Sequence, residues 1–227
     1  RSRPKILVVH QNLCIGGAER QLVELLKKYN RSRLEIVLVL YEARGVFVNE
    51  LRSITSHKTI VLPISKSIYG LGRILGLLNV FVKERPDGVC SYLVNVNVAT
   101  YIAARILRVR TVVWGLRVSK FSKKTFGMKG AITDWIAKHL SRDVDLVIAN
   151  NEKGLAYYYE SGYFPRKSVV IHNGIDTDRF CPSKILRDDF RYEIGAQEKD
   201  RVICKVARIV DWKGYEYFIE AISIISR

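Results

Sequence analysis

A chain of 227 residues with 48% apolar side chains and a mean hydropathy of +0.01 has room for a substantial core, which excludes a disordered or fibrous polypeptide. Its 38 Lys and Arg against 22 Asp and Glu leave a formal charge of +16. An anionic partner is therefore expected, and nucleic acid, anionic lipid and sugar nucleotide all fit on charge alone.

The start, RSRPKILVVH, is basic and then briefly apolar without a cleavage-site pattern, so it reads as a core strand over Lys5–His10 rather than a signal peptide. A helix is predicted from Gly17 to Tyr29, a strand over Leu34–Tyr41 and a short strand over Thr59–Leu62. The apolar stretch Ile74 to Val82 is about half of a membrane span; it belongs to a helix over Ser67–Arg85 that ends before Pro86. Then follow strand Gly88–Tyr92, helix Asn95–Leu107, strand Thr111–Gly115, helix Gly127–Leu140, strand Leu146–Ala149, helix Glu152–Ser161 and strand Ser168–His172. Near-continuous apolar strands alternating with helices imply a parallel sheet covered on both faces, a doubly wound α/β domain. After Phe180-Cys181-Pro182 a polar helix over Arg187–Ile194, a strand over Arg201–Val206 and a helix over Gly214–Ile225 open a second unit of the same kind. The charge divides with them: residues 1–180 carry 29 Lys and Arg against 14 Asp and Glu, residues 181–227 only 9 against 8. The four cysteines, Cys14, Cys90, Cys181 and Cys204, form no CxxC pair. They read as buried free thiols of a reducing compartment, with Cys90 and Cys204 inside strands.

Three motifs could carry chemistry. Ile15-Gly16-Gly17-Ala18-Glu19-Arg20 follows a strand and opens a helix, where glycines let the backbone approach a ligand and free amides face an anion. No GxGxxG is present, which argues against a dinucleotide. Val169-Val170-Ile171-His172-Asn173-Gly174-Ile175-Asp176 leads from an apolar strand into a turn pair. Ala207-Arg208-Ile209-Val210-Asp211-Trp212-Lys213-Gly214 sets two cations around a loop before a helix, an arrangement suited to a diphosphate. The segment Arg117 to Lys129 adds Arg117, Lys120, Lys123, Lys124 and Lys129 with Phe121, Phe126 and Met128 and no acid. It fits an anionic membrane surface or a phosphorylated acceptor, and on its composition nucleic acid as well.

In order and spacing these motifs resemble glycosyltransferase family 4, which typically shows GGAE, a VIPNGID run and a GR motif followed by KG. His172 stands for the usual Pro, Ala207 for the usual Gly, and Asn150-Asn151 for Asn-Ser. The resemblance implies the two-Rossmann-domain (GT-B) architecture, with residues 1–180 as the acceptor-side domain and 181–227 as the start of an incomplete nucleotide-sugar-binding domain. It implies retaining transfer of a sugar from a nucleotide-sugar donor to a lipid-linked or polysaccharide acceptor. Arg208 and Lys213 would neutralise the donor diphosphate, so that no metal and no other cofactor is expected. Gly16 and Gly17 would approach its phosphates, Arg117 would face the reaction site, and Asn173, Gly174 and Asp176 would form the interdomain loop. Lys120, Lys123 and Lys124 are assigned to membrane or acceptor. The family's paired glutamates, seven residues apart in its second domain, are missing; Glu42 with Glu50 and Glu152 with Glu160 have that spacing in the first. The chain is accordingly expected to lack transfer activity by itself. A cytoplasmic place at the inner membrane face is implied, with no nucleic-acid partner. A sugar-nucleotide 2-epimerase and a non-enzymatic acceptor- or membrane-binding module stand as alternatives.

Overall fold

A computed structural model of the chain describes residues 3–54, 57–62, 71–117, 123–210 and 213–225, without the side chains of residues 123–126. It divides into two compact units, Arg1–Gly174 and Ile175–Arg227.

The first unit is built on seven strands: β1 (Lys5–His10), β2 (Glu35–Leu40), β3 (Lys58–Val61), β4 (Gly88–Tyr92), β5 (Thr111–Leu116), β6 (Leu146–Ala149) and β7 (Ser168–Val170). They pair in the order β3-β2-β1-β4-β5-β6-β7, every neighbour parallel. The doubly wound parallel fold read from the sequence is therefore present, with β1, β4 and β6 bounded as expected. The central strands are apolar on both sides because both sides are covered. Leu7, Val9, Val37 and Val39 face one core, built with Leu77, Val80, Phe81, Val96, Ala103 and Tyr158. Val8, Ile36, Leu38 and Leu40 face the other, built with Leu22, Val23, Leu26, Phe47 and Leu51. The helices sort accordingly, α1 (Gly17–Lys28) and α2 (Phe47–Arg52) on one face, α3 (Leu71–Glu84), α4 (Val94–Ile106), α5 (Lys123–Ser141) and α6 (Glu152–Glu160) on the other. That is the outcome of right-handed crossovers running first one way and then the other from β1.

Some boundaries differ from the sequence reading. The six-residue α2 is too short for its period to stand out. Helix α5 starts earlier than Gly127, whose φ of 66° kinks it. Strand β7 stops at Val170, where its partner β6 runs out at Ala149.

The amino edge of the sheet is fastened by charge. Glu84 reaches Lys58 at 2.5 Å and Lys5 at 3.5 Å, and these cations hold its carboxyl below the usual range. Asp143 and Asp145 share Arg105 and Arg166, while Asp145 also accepts from the Val112 amide at 2.9 Å.

The second unit contains α7 (Lys184–Glu193), capped by the Ser183 hydroxyl, and α8 (Tyr215–Ile225). The strand expected over Arg201–Val206 does not form: a strand is defined by a neighbour's hydrogen bonds, and the described residues of this unit offer none. Cys204 is consequently exposed, as is Cys181, while Cys14 and Cys90 are partly buried; all four are free.

One glycine sets the approach of the β1 and β2 loops. The Leu13 amide donates to Arg44 O at 2.8 Å and the Phe47 amide to Leu13 O at 3.3 Å, with Gly45 between them at φ 123°. A Cβ there would run into the Leu13 carbonyl. Gly45→Ala should cost on the order of 2–4 kcal/mol through strain and overlap together; urea unfolding of the variant against the parent checks it.

Candidate functional site

Strand order reverses between β1 and β4, and ligands of open α/β sheets bind outside the carboxyl ends of the strands at such a point. β1 ends here in His10 and β4 in Tyr92, their rings 5.8 Å apart. The loops that leave them are tied together by the Asn95 amide, which donates to Gln11 Oε1 at 3.1 Å. Leu93, the N-cap of α4, sits at φ 75°, a conformation that costs a residue with a side chain about 1–3 kcal/mol. Neighbouring bonds hold it there: the Asn97 amide donates to Leu93 O at 2.8 Å, and buried Ser91 donates to Asn97 Oδ1 at 2.8 Å.

Helix α1 starts beside this point. Gly16 is its N-cap, in extended backbone and with no side chain to cap the first turn. The Glu19 carboxylate instead folds back over Gly16, into the space a Cβ would take, where it complements the positive end of the helix. Nothing lies within 4 Å of where a Gly17 Cβ would be. The helix start thus offers amides and open space to an anion.

The second sequence motif meets this helix. Gln21 Nε2 donates to Gly174 O at 2.8 Å and Gln21 Oε1 accepts from the Gly174 amide at 2.9 Å. Next to it the Arg117 guanidinium donates to Asn173 Oδ1 at 2.8 Å and lies over the Tyr92 ring at 5.1 Å. Gly16, Gly17, Arg117, Asn173 and Gly174 are therefore linked through one edge of one sheet. Gln21 and Tyr92, which do the linking, were not singled out from the sequence. The spacing of Gln21 four residues after Gly17, on the same helix face, was the available signal.

The remaining candidates lie elsewhere. Asp176, in the second unit, accepts from the Arg179 amide at 3.1 Å and shapes a turn. Arg208 and Lys213 are exposed, also in the second unit. Their loop is fastened within that unit, by the Tyr215 hydroxyl donating to Ala207 O at 2.6 Å and by Lys205 donating to Gly214 O at 2.7 Å. Lys120 lies outside the described residues; Lys123 and Lys124 open α5, with side chains outside them.

Titration behaviour follows from burial. His10 is fully buried, and its Nδ1 lies 2.8 Å from Asn12 O, so Nδ1 carries the proton. Its Nε2 has no partner among the described residues. Burial lowers its pKa below 6.5, against the opposing pull of Glu19 and with help from Arg117. Burial likewise pushes the Cys90 thiol up to about 11. The adjacent Cys90, then burial, raise the Tyr92 phenol.

Comparison with known proteins places this geometry. The family model of Glycosyltransferase Family 4 matches residues 15–179. HepE of Anabaena, crystallised in complex with UDP, superposes with a TM-score of 0.77 at 26% identity, over 96% of this chain and 57% of that one. A glycosyltransferase from Rickettsia africae gives 0.70 at 15% identity, over 99% and 58%. A UDP-N-acetylglucosamine 2-epimerase from Rickettsia bellii gives 0.56 at 17%, over 86% and 52%; the last two likenesses are of fold alone. The chain thus spans 57% of the length of HepE. No curated protein matches it.

Two outcomes are expected from this geometry. Gln21→Ala removes both bonds to Gly174, each worth about 0.5–1.5 kcal/mol net, so hydrogen exchange of the Gly174 amide should accelerate by roughly tenfold while the unfolding temperature barely moves. For His10 the sign is fixed by its lowered native pKa. As pH falls through 6.5 the unfolded chain takes up the proton first, so stability is lost until the native group also protonates. The same sign applies to His57, lowered by burial and then by Arg31. His10→Asn, whose Nδ2 can replace the bond to Asn12, should flatten the pH dependence of urea-unfolding stability between about pH 7 and 5 and leave the His57 share.

Proposed function

The chain belongs to glycosyltransferase family 4, and from that premise we propose that it serves the retaining transfer of a sugar from a nucleotide-sugar donor to a lipid-linked or polysaccharide acceptor. The observation that carries the proposal is the uncapped start of α1 at the β1/β4 switch point, joined by Gln21 to Gly174 and by Asn173 to Arg117. The nucleotide is taken to be UDP because HepE, a neighbour at 26% identity, was crystallised with it. In this reading residues 1–180 are the acceptor-side domain and residues 181–227 the opening of the nucleotide-sugar-binding one. The epimerase alternative has a fold-level likeness in its favour, while the family match favours the transferase.

The assigned roles follow from charge. Gly16 and Gly17 present backbone amides to phosphate oxygens. Arg117, fixed by Asn173 and Tyr92, brings a permanent cation to the reacting end. Arg208 and Lys213 answer the negative charge that accumulates on the diphosphate as the glycosidic bond breaks, the task a divalent metal performs elsewhere. Asn173, Gly174 and Asp176 shape the connection between the domains. The unbalanced cations of residues 1–180 support an acceptor at an anionic, cytoplasmic membrane face. The same excess is assigned to lipid and donor and not to nucleic acid.

The test is steady-state kinetics in an enzyme carrying this chain with a complete second domain. Arg208→Ala and Lys213→Ala should each lower kcat about a hundredfold, some 3 kcal/mol of transition-state stabilisation, and change KM for the UDP-sugar little. Lys205 is a poor control because it holds Gly214 in place; exposed Lys199 is the suitable one. Near-normal kcat in both folded variants would overturn the assignment.

A further inference from the structure

Two helices of the first unit display apolar residues that are exposed among the described residues. On α3 these are Leu71, Leu75 and Val82; on α5 they are Met128, Ile132 and Trp135. Each is more than half exposed, from 53% at Ile132 to 62% at Met128. Within each helix they recur at three-, four- or seven-residue steps, so they form a stripe along one side. α4 packs between the two helices and is itself largely buried. The stripes therefore flank one face of the unit, the face opposite α1 and α2.

The charges of these helices are one-sided. The only acid in α3 is Glu84 and the only acid in α5 is Asp134. Both point inward: Glu84 is spent on Lys58 and Lys5, and buried Asp134 on Lys138 and the Tyr163 hydroxyl. The outward charge is thus cationic, with Lys83 and Lys129 exposed beside the stripes. Trp135 lies at the surface with the His139 ring tilted against it, ring centroids 4.3 Å apart. A protein partner would ordinarily ask for mixed charge around an apolar centre. Apolar stripes with Trp, rimmed by cations and free of outward carboxylates, match the interface of an anionic bilayer.

We propose that α3 and α5 together are the surface by which this protein docks on an anionic membrane, with Leu71, Leu75, Val82, Met128, Ile132 and Trp135 entering the headgroup boundary. The inference rests on the proposed function only for the reason a membrane is there. In a parallel sheet the crossover helices begin at the carboxyl edge, so the first turns of α3 and α5 lie at the same edge as Gly16 and Arg117. Docking through both helices lays this face of the unit along the bilayer, from Leu71 at the carboxyl edge to Val82 near the amino edge. The basic stretch read from the sequence, Arg117 to Lys129, leads into α5 and includes Met128; Ile132 and Trp135 lie further along α5, and the α3 residues lie well before that stretch in sequence.

The experiment is co-sedimentation of the full chain with phosphatidylcholine vesicles with and without phosphatidylglycerol. Binding is expected only to the anionic vesicles and should weaken as salt rises. Leu75→Glu and Ile132→Glu, at exposed positions, should each weaken it about tenfold or more, with folding checked by thermal unfolding. Trp emission should shift to the blue on binding, and in a Trp212→Phe background Trp135→Phe should abolish the shift, because Trp114 is then the remaining indole and is buried. Equal binding to neutral vesicles, or unchanged binding of both glutamate variants, overturns the proposal. So does loss of a self-associated species in the same variants without any vesicle binding, which would assign the face to a second copy of the chain. The readout is vesicle binding and not transfer, so a failure here leaves the transferase reading standing, and a failure of Arg208 and Lys213 leaves the docking face standing.

Discussion

The burial of β1 on both sides is the constraint from which the first unit follows. A strand whose Leu7 and Val9 enter one core and whose Val8 enters the other needs helices on both faces and parallel neighbours on both flanks. Each fully buried side chain of this kind is worth about 1.5–3 kcal/mol, and the cost of exposing either face keeps the register. Because the chain winds outward from β1 in one direction and then in the other, a crevice is left at the carboxyl ends of β1 and β4. The candidate site is thus a by-product of how the core is covered.

At that crevice local strain and specific bonding occur together. Leu93 holds a left-handed backbone where glycine would be easier, and Gly16 leaves α1 without a side-chain cap. Both would be unfavourable choices for stability alone. Both lie where strand order reverses. Glu19, folded over Gly16, sets a carboxylate at the positive end of the helix.

The sequence made the sheet legible because burial on both faces writes the strands as short apolar runs, which is why β1, β4 and β6 could be bounded to the residue. It made the motifs legible because Gly16-Gly17 and Asn173-Gly174 are unusual backbone choices. Where it misled, the missing information was non-local. Ile203 and Cys204 sit in an apolar run like any strand, yet a strand needs a partner, and local pattern cannot supply one. Gln21 and Tyr92 gave little sign of themselves, since a helix-surface amide and an apolar strand end take their meaning from residues 153 and 25 positions away. The α3 stretch read only as part of a helix, because periodicity reports a helix face without saying what lies against it.

The two edges of the sheet are held by different chemistry. Around Glu84, Asp143 and Asp145 the amino edge depends on carboxylates paired with Lys5, Lys58, Arg105 and Arg166. At the other edge Gly174 and Asn173 are gripped through neutral amides and the Arg117 guanidinium. Rising ionic strength therefore acts unequally on the two ends, weakening the ion pairs of the amino edge more than the bonds that hold Asn173 and Gly174. Acid works in the other order: it reaches buried His10 at the carboxyl edge before it reaches the depressed carboxyls of Glu84 and Asp143.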